Sequence, residues 1–451
     1  MTATSQPNGT NGPMRARTFT DAGAVALAAG VAVGAARPVA IPVVVPLLVT
    51  VVGLVARRPW LVVIGAAVLA AALAGQALDG ARPARPGPFR GIVTLASDPT
   101  AAFGAQQADV RAAGHRFELS ARGSAASVLG SQLAGARVLV SGDVEPRGDD
   151  QPWLLRRHIV GQILAVQIDP IDGGDPLSQA ANGVRRVLAR GADVMEPQDQ
   201  ALFAGFVLGD DRGQSDETIA DFRASGLTHL LVVSGENVAF VLILVRPLAS
   251  RLGLRMRFVV IVTAVLFFAL MTRFEPSVLR ATAMALISTL GSTFGRSVSA
   301  LRTLALAVAG LLLIDPFLVG SLGFQLSVAA SLGIIAAARP LSSRLPGPRW
   351  LADTAGVTIA AQAGVAPVLL PIFSTIPVAA LPANLLAVPA AGPVMVWGLT
   401  AGVAAGLLGS GAATVLHVPT RVLLWWLAHV AGWFAELPLG SLRWSHLLAL
   451  A

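Results

Sequence analysis

The sequence contains no cysteine, which excludes disulfides and thiolate metal sites. It has no tyrosine either, so an interfacial aromatic belt has to be built from 8 Trp and 17 Phe. Lysine is also missing: all 33 basic residues are arginine, set against 25 acidic ones for a net +8. Charge is scarce overall, at 13% of residues, while 54% are hydrophobic and the mean hydropathy is +0.69. That is far from the composition of an average soluble domain. Several apolar runs are long enough to cross a bilayer, which implies a polytopic membrane protein. Continuous apolar runs suit helices rather than the alternating strands of a membrane barrel, so an α-helical bundle is expected. There is no GxxxxGK[ST] phosphate loop, which argues against ATP-driven transport by this chain, and no HExxH. The 6 histidines, at 115, 158, 229, 417, 429 and 446, are dispersed and form no metal motif. No cofactor and no enzymatic activity is expected.

Along the chain, residues 1–20 are polar and read as a disordered cytoplasmic tail with Arg15 and Arg17. Residues 21–79 hold three apolar runs, 22–36, 39–55 and 61–78, with the cytoplasmic marker Arg57-Arg58 between the last two. Three spans then place the next segment outside. That segment, 82–170, changes composition sharply and reads as a soluble, extracytoplasmic insertion. Period-two patches at 91–95, 116–121, 136–144, 154–160 and 164–168 suggest short strands of a small β-barrel, OB-like in kind. Arg111, Arg116, Arg122, Trp153, Arg156 and Arg157 are candidates for binding single-stranded nucleic acid there. The competing reading is a solvated barrel that only buttresses the membrane part.

Residues 175–228 follow as an amphipathic interfacial segment. Within it, 177–194 carries apolar residues at helical spacing beside Arg185, Arg186 and Arg190, as in a helix lying on the membrane or a soluble linker helix. Beyond 229, spans are expected at 230–245, 258–270, 277–293, 303–313, 321–338, 352–370, 378–408 and 422–434. Arginine clusters fall in alternate loops, at 246–257, 296–302 and 339–349, and mark those loops as cytoplasmic. Pro382, Pro389 and Pro393 interrupt the long run, which suggests a kinked or pore-lining element.

Few polar residues lie at membrane depth: Ser234, Glu236, Asn237, Arg280, Gln325, Ser327, Gln362 and Asn384. Such groups are costly in lipid and mark a partner, a cavity or a path. Glu236 and Arg280 both fall near the outer ends of their spans, where pairing would lower the cost of each, with Asn237 and Gln325 nearby. A snorkelling Arg280 and amides acting as interhelical glue are the alternatives.

The stretch 201–240 carries Gly209-Asp210, then Gly226-Leu227-Thr228-His229-Leu230-Leu231, then Ser234-Gly235-Glu236-Asn237-Val238. Downstream follow Pro276-Ser277-Val278-Leu279-Arg280-Ala281, Asp315-Pro316-Phe317, Gly323-Phe324-Gln325-Leu326-Ser327, and Asn384-Leu385-Leu386-Ala387-Val388-Pro389. Taken in this order, the set resembles the core motifs of the ComEC family of competence channels. The resemblance implies that 229–451 is a competence-type channel domain for uptake of single-stranded DNA across the inner membrane during natural transformation. Ser234, Gly235, Glu236, Asn237, Arg280, Gln325 and Asn384 are then the channel-core candidates. It also implies partners: single-stranded DNA, membrane lipid, a separate DNA receptor, a motor ATPase and a separate nuclease. Many relatives carry further spans and a metallo-β-lactamase-like domain; this sequence ends at Ala451 without them and resembles a short form. Glu236 departs from the family pattern, where the position is small or apolar. A carboxylate there would repel phosphate, so it is either neutralised by an arginine or off the path. A secondary transporter of a small solute would share the broken helices and buried polar groups, and an intramembrane enzyme would need a dyad that Ser234 and its neighbours do not make.

Overall fold

The computed structural model describes residues 20–148, 150–438 and 440–442. The expected tail at 1–20 lies, but for Thr20, outside the described residues.

Three helices open the chain: α1 (Asp21–Ala35), α2 (Val44–Val55) and α3 (Pro59–Gly80). Two of the starts have a local cause. Thr20 caps α1 by accepting the Gly23 amide at 3.1 Å, and proline at the first position starts α3.

The 82–170 insertion folds as strands β1 (Gly87–Leu95), β2 (Thr100–Ala102), β3 (Ala105–Ala112), β4 (His115–Ala121), β5 (Arg137–Pro146) and β6 (Ile159–Asp172). Helix α4 (Gly123–Gly130) joins β4 to β5, and the short α5 (Pro152–Arg156) joins β5 to β6. They form one six-stranded sheet in the order β1-β5-β6-β4-β3-β2. All neighbours are antiparallel except β4 and β6. The sheet curls, and β1 also meets β3 through Thr94↔Arg111 and Leu95↔Val110. The expected small sheet domain is present, but it is not a closed barrel: its ends touch over two residue pairs rather than along a full ladder. Its core is Val93, Leu95, Val110, Leu119, Leu129, Val138, Val140 and Ile163, all fully enclosed. Each such side chain contributes roughly 1.5–3 kcal/mol on burial. Residues 154–160, expected as one strand, instead divide between α5 and the start of β6.

The remaining helices are α6 (Pro176–Ala192), α7 (Pro197–Leu208), α8 (Asp216–Ala224), α9 (Gly235–Ala249), α10 (Leu254–Met271) and α11 (Pro276–Thr293). They continue as α12 (Ala300–Ile314), α13 (Leu322–Ser342), α14 (Arg349–Phe373), α15 (Ala380–Leu408), α16 (Ser410–Leu416) and α17 (Val418–Glu436). Short 3-10 turns, Thr228–Leu230 and Pro316–Gly320, precede α9 and α13, and β7 (Ile376–Pro377) pairs antiparallel with the distant β8 (Ser441–Leu442) as a two-stranded sheet. Among the described residues, α3, α10, α13, α14 and α15 are long and apolar enough to cross a membrane; α1, α2 and α12 are shorter apolar helices. With its family match below, this makes the chain a multi-pass membrane protein.

The helix expected to lie on the membrane at 177–194 is α6, and it is not a free surface helix. A methyl at Gly191 would stand 2.7 Å from the Gly402 carbonyl of α15, so the two backbones touch. Ala181, Asn182, Arg185 and Leu188 on α6 are buried, Asn182 and Arg185 by contacts to the sheet and to the ends of α7 and α10. Amphipathic spacing marks a helix with one apolar stripe, but not whether lipid or protein covers it.

Candidate functional site

The Ser234–Asn237 segment is the start of α9. Ser234 caps the helix: its hydroxyl accepts the Glu236 amide at 3.2 Å and reaches Asn237 Oδ1 at 3.4 Å. Asn237, 9% exposed, donates from Nδ2 to the Phe206 carbonyl in the last turn of α7 at 3.2 Å. Together with Phe206, His229, Phe240, Ala391 and Met395, these residues line a cavity of about 10 Å³. That holds roughly one water, far short of the few hundred Å³ a nucleotide-sized ligand occupies. The segment is thus closed in this state.

Arg280 reaches this segment from α11. A methyl at Gly235 would collide with Arg280 Nη2 and stand 3.2 Å from the Ser277 carbonyl, so only glycine lets the guanidinium and the α9 start approach this closely. Arg280 Nε donates to Ser327 Oγ on α13 at 2.7 Å, and Nη1 lies 3.2 Å from Met284 Sδ. The expected Glu236–Arg280 pair is not formed. Glu236 is an exposed residue at the rim of that cavity with no cationic partner among the described residues, and Arg280 has no acidic one. The capped start of α9 turns successive side chains to different faces, which separates the carboxylate from the guanidinium packed on its neighbour.

The other two channel-core candidates do not join this group. Gln325 is exposed and donates to the Val319 carbonyl at 2.7 Å, closing the 3-10 turn before α13. Asn384 is buried, but donates to Ala380 of its own helix at 2.7 Å. Ser327, by contrast, is brought to Arg280.

A second polar centre, which the sequence reading missed, joins the sheet to the helices. Arg185, 4% exposed, is its hub. Nη1 donates to the Leu208 carbonyl at 2.9 Å and the Met271 carbonyl at 2.8 Å; Nη2 donates to Asp98 Oδ2 at 2.9 Å and Asp210 Oδ2 at 3.0 Å. Arg273 makes a bidentate pair with Asp98 at 3.0 and 2.8 Å and donates to Asn182 Oδ1 at 2.7 Å. Arg212 binds Asp210 through Nε and Nη2, at 2.7 and 2.6 Å. Burial alone would push the Asp98 carboxyl up; the Arg185 charge and the Arg273 hydrogen bonds outweigh it and hold the group below the usual carboxylate range. The hydrogen bond from Arg212 to Asp210 in turn raises the guanidinium. Arg185 and Asn237 therefore hold the same last turn of α7, one through the Leu208 carbonyl and the other through that of Phe206. The one signal in the sequence was Gly209-Asp210, a motif without an assigned role; Gly209, at φ +69°, ends α7 and turns Asp210 toward Arg185.

On the sheet, Arg111 and Arg116 are cross-strand partners on β3 and β4. Arg157 is committed to ion pairs with Asp109 and, at 3.4 Å, Glu118. Arg156 lies against Gly320, and Trp153 on α5 is half exposed. These five gather near the junction with the helices. Arg122 stands six residues beyond Arg116 along the chain, about 20 Å along an extended strand. Beside the group, His158, in a left-handed conformation at φ +62°, stacks on Phe317 with ring centres 4.5 Å apart. Its Nε2 lies 3.0 Å from Asp315 Oδ1, so the Asp315-Pro316-Phe317 motif is a second contact between sheet and helices.

A family model described as "Competence protein" matches residues 206–451. Among curated proteins, "ComE operon protein 3" of Bacillus subtilis (strain 168) is 26% identical over 246 residues, which is 53% of this chain and 31% of that protein. The chain thus spans under one third of that relative's length. No solved structure matches.

Proposed function

This chain belongs to the ComEC family of competence proteins, and on that footing we propose that it forms the inner-membrane channel that passes one strand of DNA into the cytoplasm. The observation that carries this reading is Arg280. A guanidinium set against the start of a helix, with a hydroxyl and a thioether as neighbours and no carboxylate among the described residues, suits a passing anion. A charge in a membrane segment is costly unless it serves a partner or a path, and a single strand presents one phosphate per nucleotide. Ser234, Gly235 and Asn237 frame the path there, and Glu236 stands exposed at its rim. The 10 Å³ cavity is then a closed gate that opens when α7, α9 and α15 separate.

We assign the sheet an outer, OB-type role as the platform that receives the strand. Three features support this: the strand order, the single parallel pair β4–β6, and the helix α4 between β4 and β5. In OB-folds the corresponding face and loops bind oligonucleotides; here they carry Arg111, Arg116, Trp153 and Arg156. Receptor, motor ATPase and nuclease are separate partners in this account. The test is transformation of a deletion strain carrying this chain. Wild type restores uptake of labelled DNA, and Arg280→Gln abolishes it at equal protein level. Full uptake with Arg280→Gln removes the phosphate role.

A further inference from the structure

The hairpin between β2 and β3 turns through two residues, Phe103 and Gly104, both with positive φ, +50° and +74°, between the paired Ala102 and Ala105. That is the geometry for which asparagine-glycine is the favoured pair, because a bulky side chain is strained in the left-handed region. The same two-residue turn recurs between β3 and β4 with Ala113 and Gly114, at +47° and +83°. The second hairpin acts as an internal control: alanine suffices, so the turn itself does not call for a large ring. Phe103 is nonetheless 95% exposed, the most exposed of the large hydrophobic residues described. Other highly exposed ones, such as Val55, Leu407 and Leu408, lie on apolar membrane helices or their ends, and Val166 lies within strand β6. Phe103 instead sits on the polar sheet, at the tip of a hairpin whose base is anchored to the helices through Asp98 and the Pro99 carbonyl. A strained, uncovered aromatic on an anchored tip is out of place unless a ligand covers it.

The strand register supplies the neighbour. Gln106 pairs with Ala121, so Arg122, exposed and one residue further, stands beside Ala105. That places it roughly 10 Å from Phe103, about the span of two adjacent strands. We infer that Phe103 is a nucleobase-stacking anchor, with Arg122 taking the adjoining phosphate, at the end of the sheet away from Arg111 and Arg116. This deepens the platform reading above and rests on it. It also gives Arg122, which does not join the other five arginine and tryptophan candidates, a place on the same strand path.

The test uses the full chain in phosphatidylcholine nanodiscs with a fluorescent oligothymidylate. Phe103→Ala and Phe103→Asn are expected to bind roughly 5- to 100-fold more weakly, the usual range for losing one stacked base, with the salt dependence unchanged because no charge is removed. Phe103→Trp is expected to retain affinity. Phe103→Asn is also expected to melt no lower than wild type, since asparagine relieves the turn, so loss of binding cannot be loss of fold. An oligonucleotide carrying 5-iododeoxyuridine should photocrosslink at residue 103. Wild-type affinity in both variants, or a crosslink elsewhere only, overturns the stacking role while the platform stands. A wild-type chain that binds no oligothymidylate at low salt overturns the platform, and this inference with it. Loss of vesicle binding rather than DNA binding in Phe103→Ala shows the ring to be a lipid anchor and overturns it too.

Discussion

At the scale of single residues, the account separates two charges that sequence spacing put together. Glu236 and Arg280 do not pair, so their effects should be independent. Glu236→Gln is expected to leave protein level and uptake near wild type. Arg280→Gln should stop uptake, and the double variant should match Arg280→Gln alone to within about 0.5 kcal/mol in folding stability. A double variant markedly milder than the single would show that the two charges couple. Arg280 was legible as a candidate because a cation in an apolar helix stands out in any sequence. Its neighbours were less so: Ser327 lies 47 positions away, and its contact depends on how α11 meets α13. The junction residues were hidden for the same reason. Arg185 sits between Asn182 and Arg186 on an amphipathic helix like any solvated arginine, and nothing local shows that Asp98, 87 positions earlier, closes on it.

At the scale of elements, α7 is the link between the sheet and the motif segment, held at its last turn by Arg185 on one side and Asn237 on the other. Removing Arg185 leaves Asp98 and Asp210 short of a partner, which in a buried network costs roughly 3–5 kcal/mol. Arg185→Gln is therefore expected to lower the unfolding midpoint of the full chain in detergent, and Arg185→Lys should rescue little, because one ammonium cannot reproduce four fixed contacts. The pH dependence follows from Asp98. Its folded pKa lies below that of the unfolded chain, about 3.9. The stabilisation is therefore fully present above pH ~4 and is lost as pH falls through the lower, folded value. Protease protection of the sheet–helix junction should persist from neutral pH to about 4 and fail below it, and failure already at pH 6 would contradict the assignment. The helices themselves were readable from apolar runs and their caps. β3 was not, because its inward residues are Ala108, Val110 and Ala112, small side chains that give a weak alternation. The Trp153-Leu154-Leu155 run reads as a strand, yet Pro152 starts a helical turn there.

At the scale of the whole molecule, the topology proposed from arginine placement has the sheet outside and the loops at 246–257 and 339–349 inside. In this cysteine-free background, Ser127→Cys on α4 and Gln167→Cys on β6, both exposed, should react with an impermeant maleimide in intact cells. Gly253→Cys should react only after lysis, and the reverse pattern would invert the topology. The central claim, that a DNA strand passes Arg280 at the start of α9, is met most directly by photocrosslinking. A benzophenone amino acid replacing Glu236 would be activated while a long labelled duplex is arrested during uptake. The account predicts an adduct with single-stranded DNA at this position that disappears in Arg280→Gln. Adducts with lipid alone at position 236, while the same probe at position 103 captures DNA, would show that the strand reaches the sheet but does not pass this site.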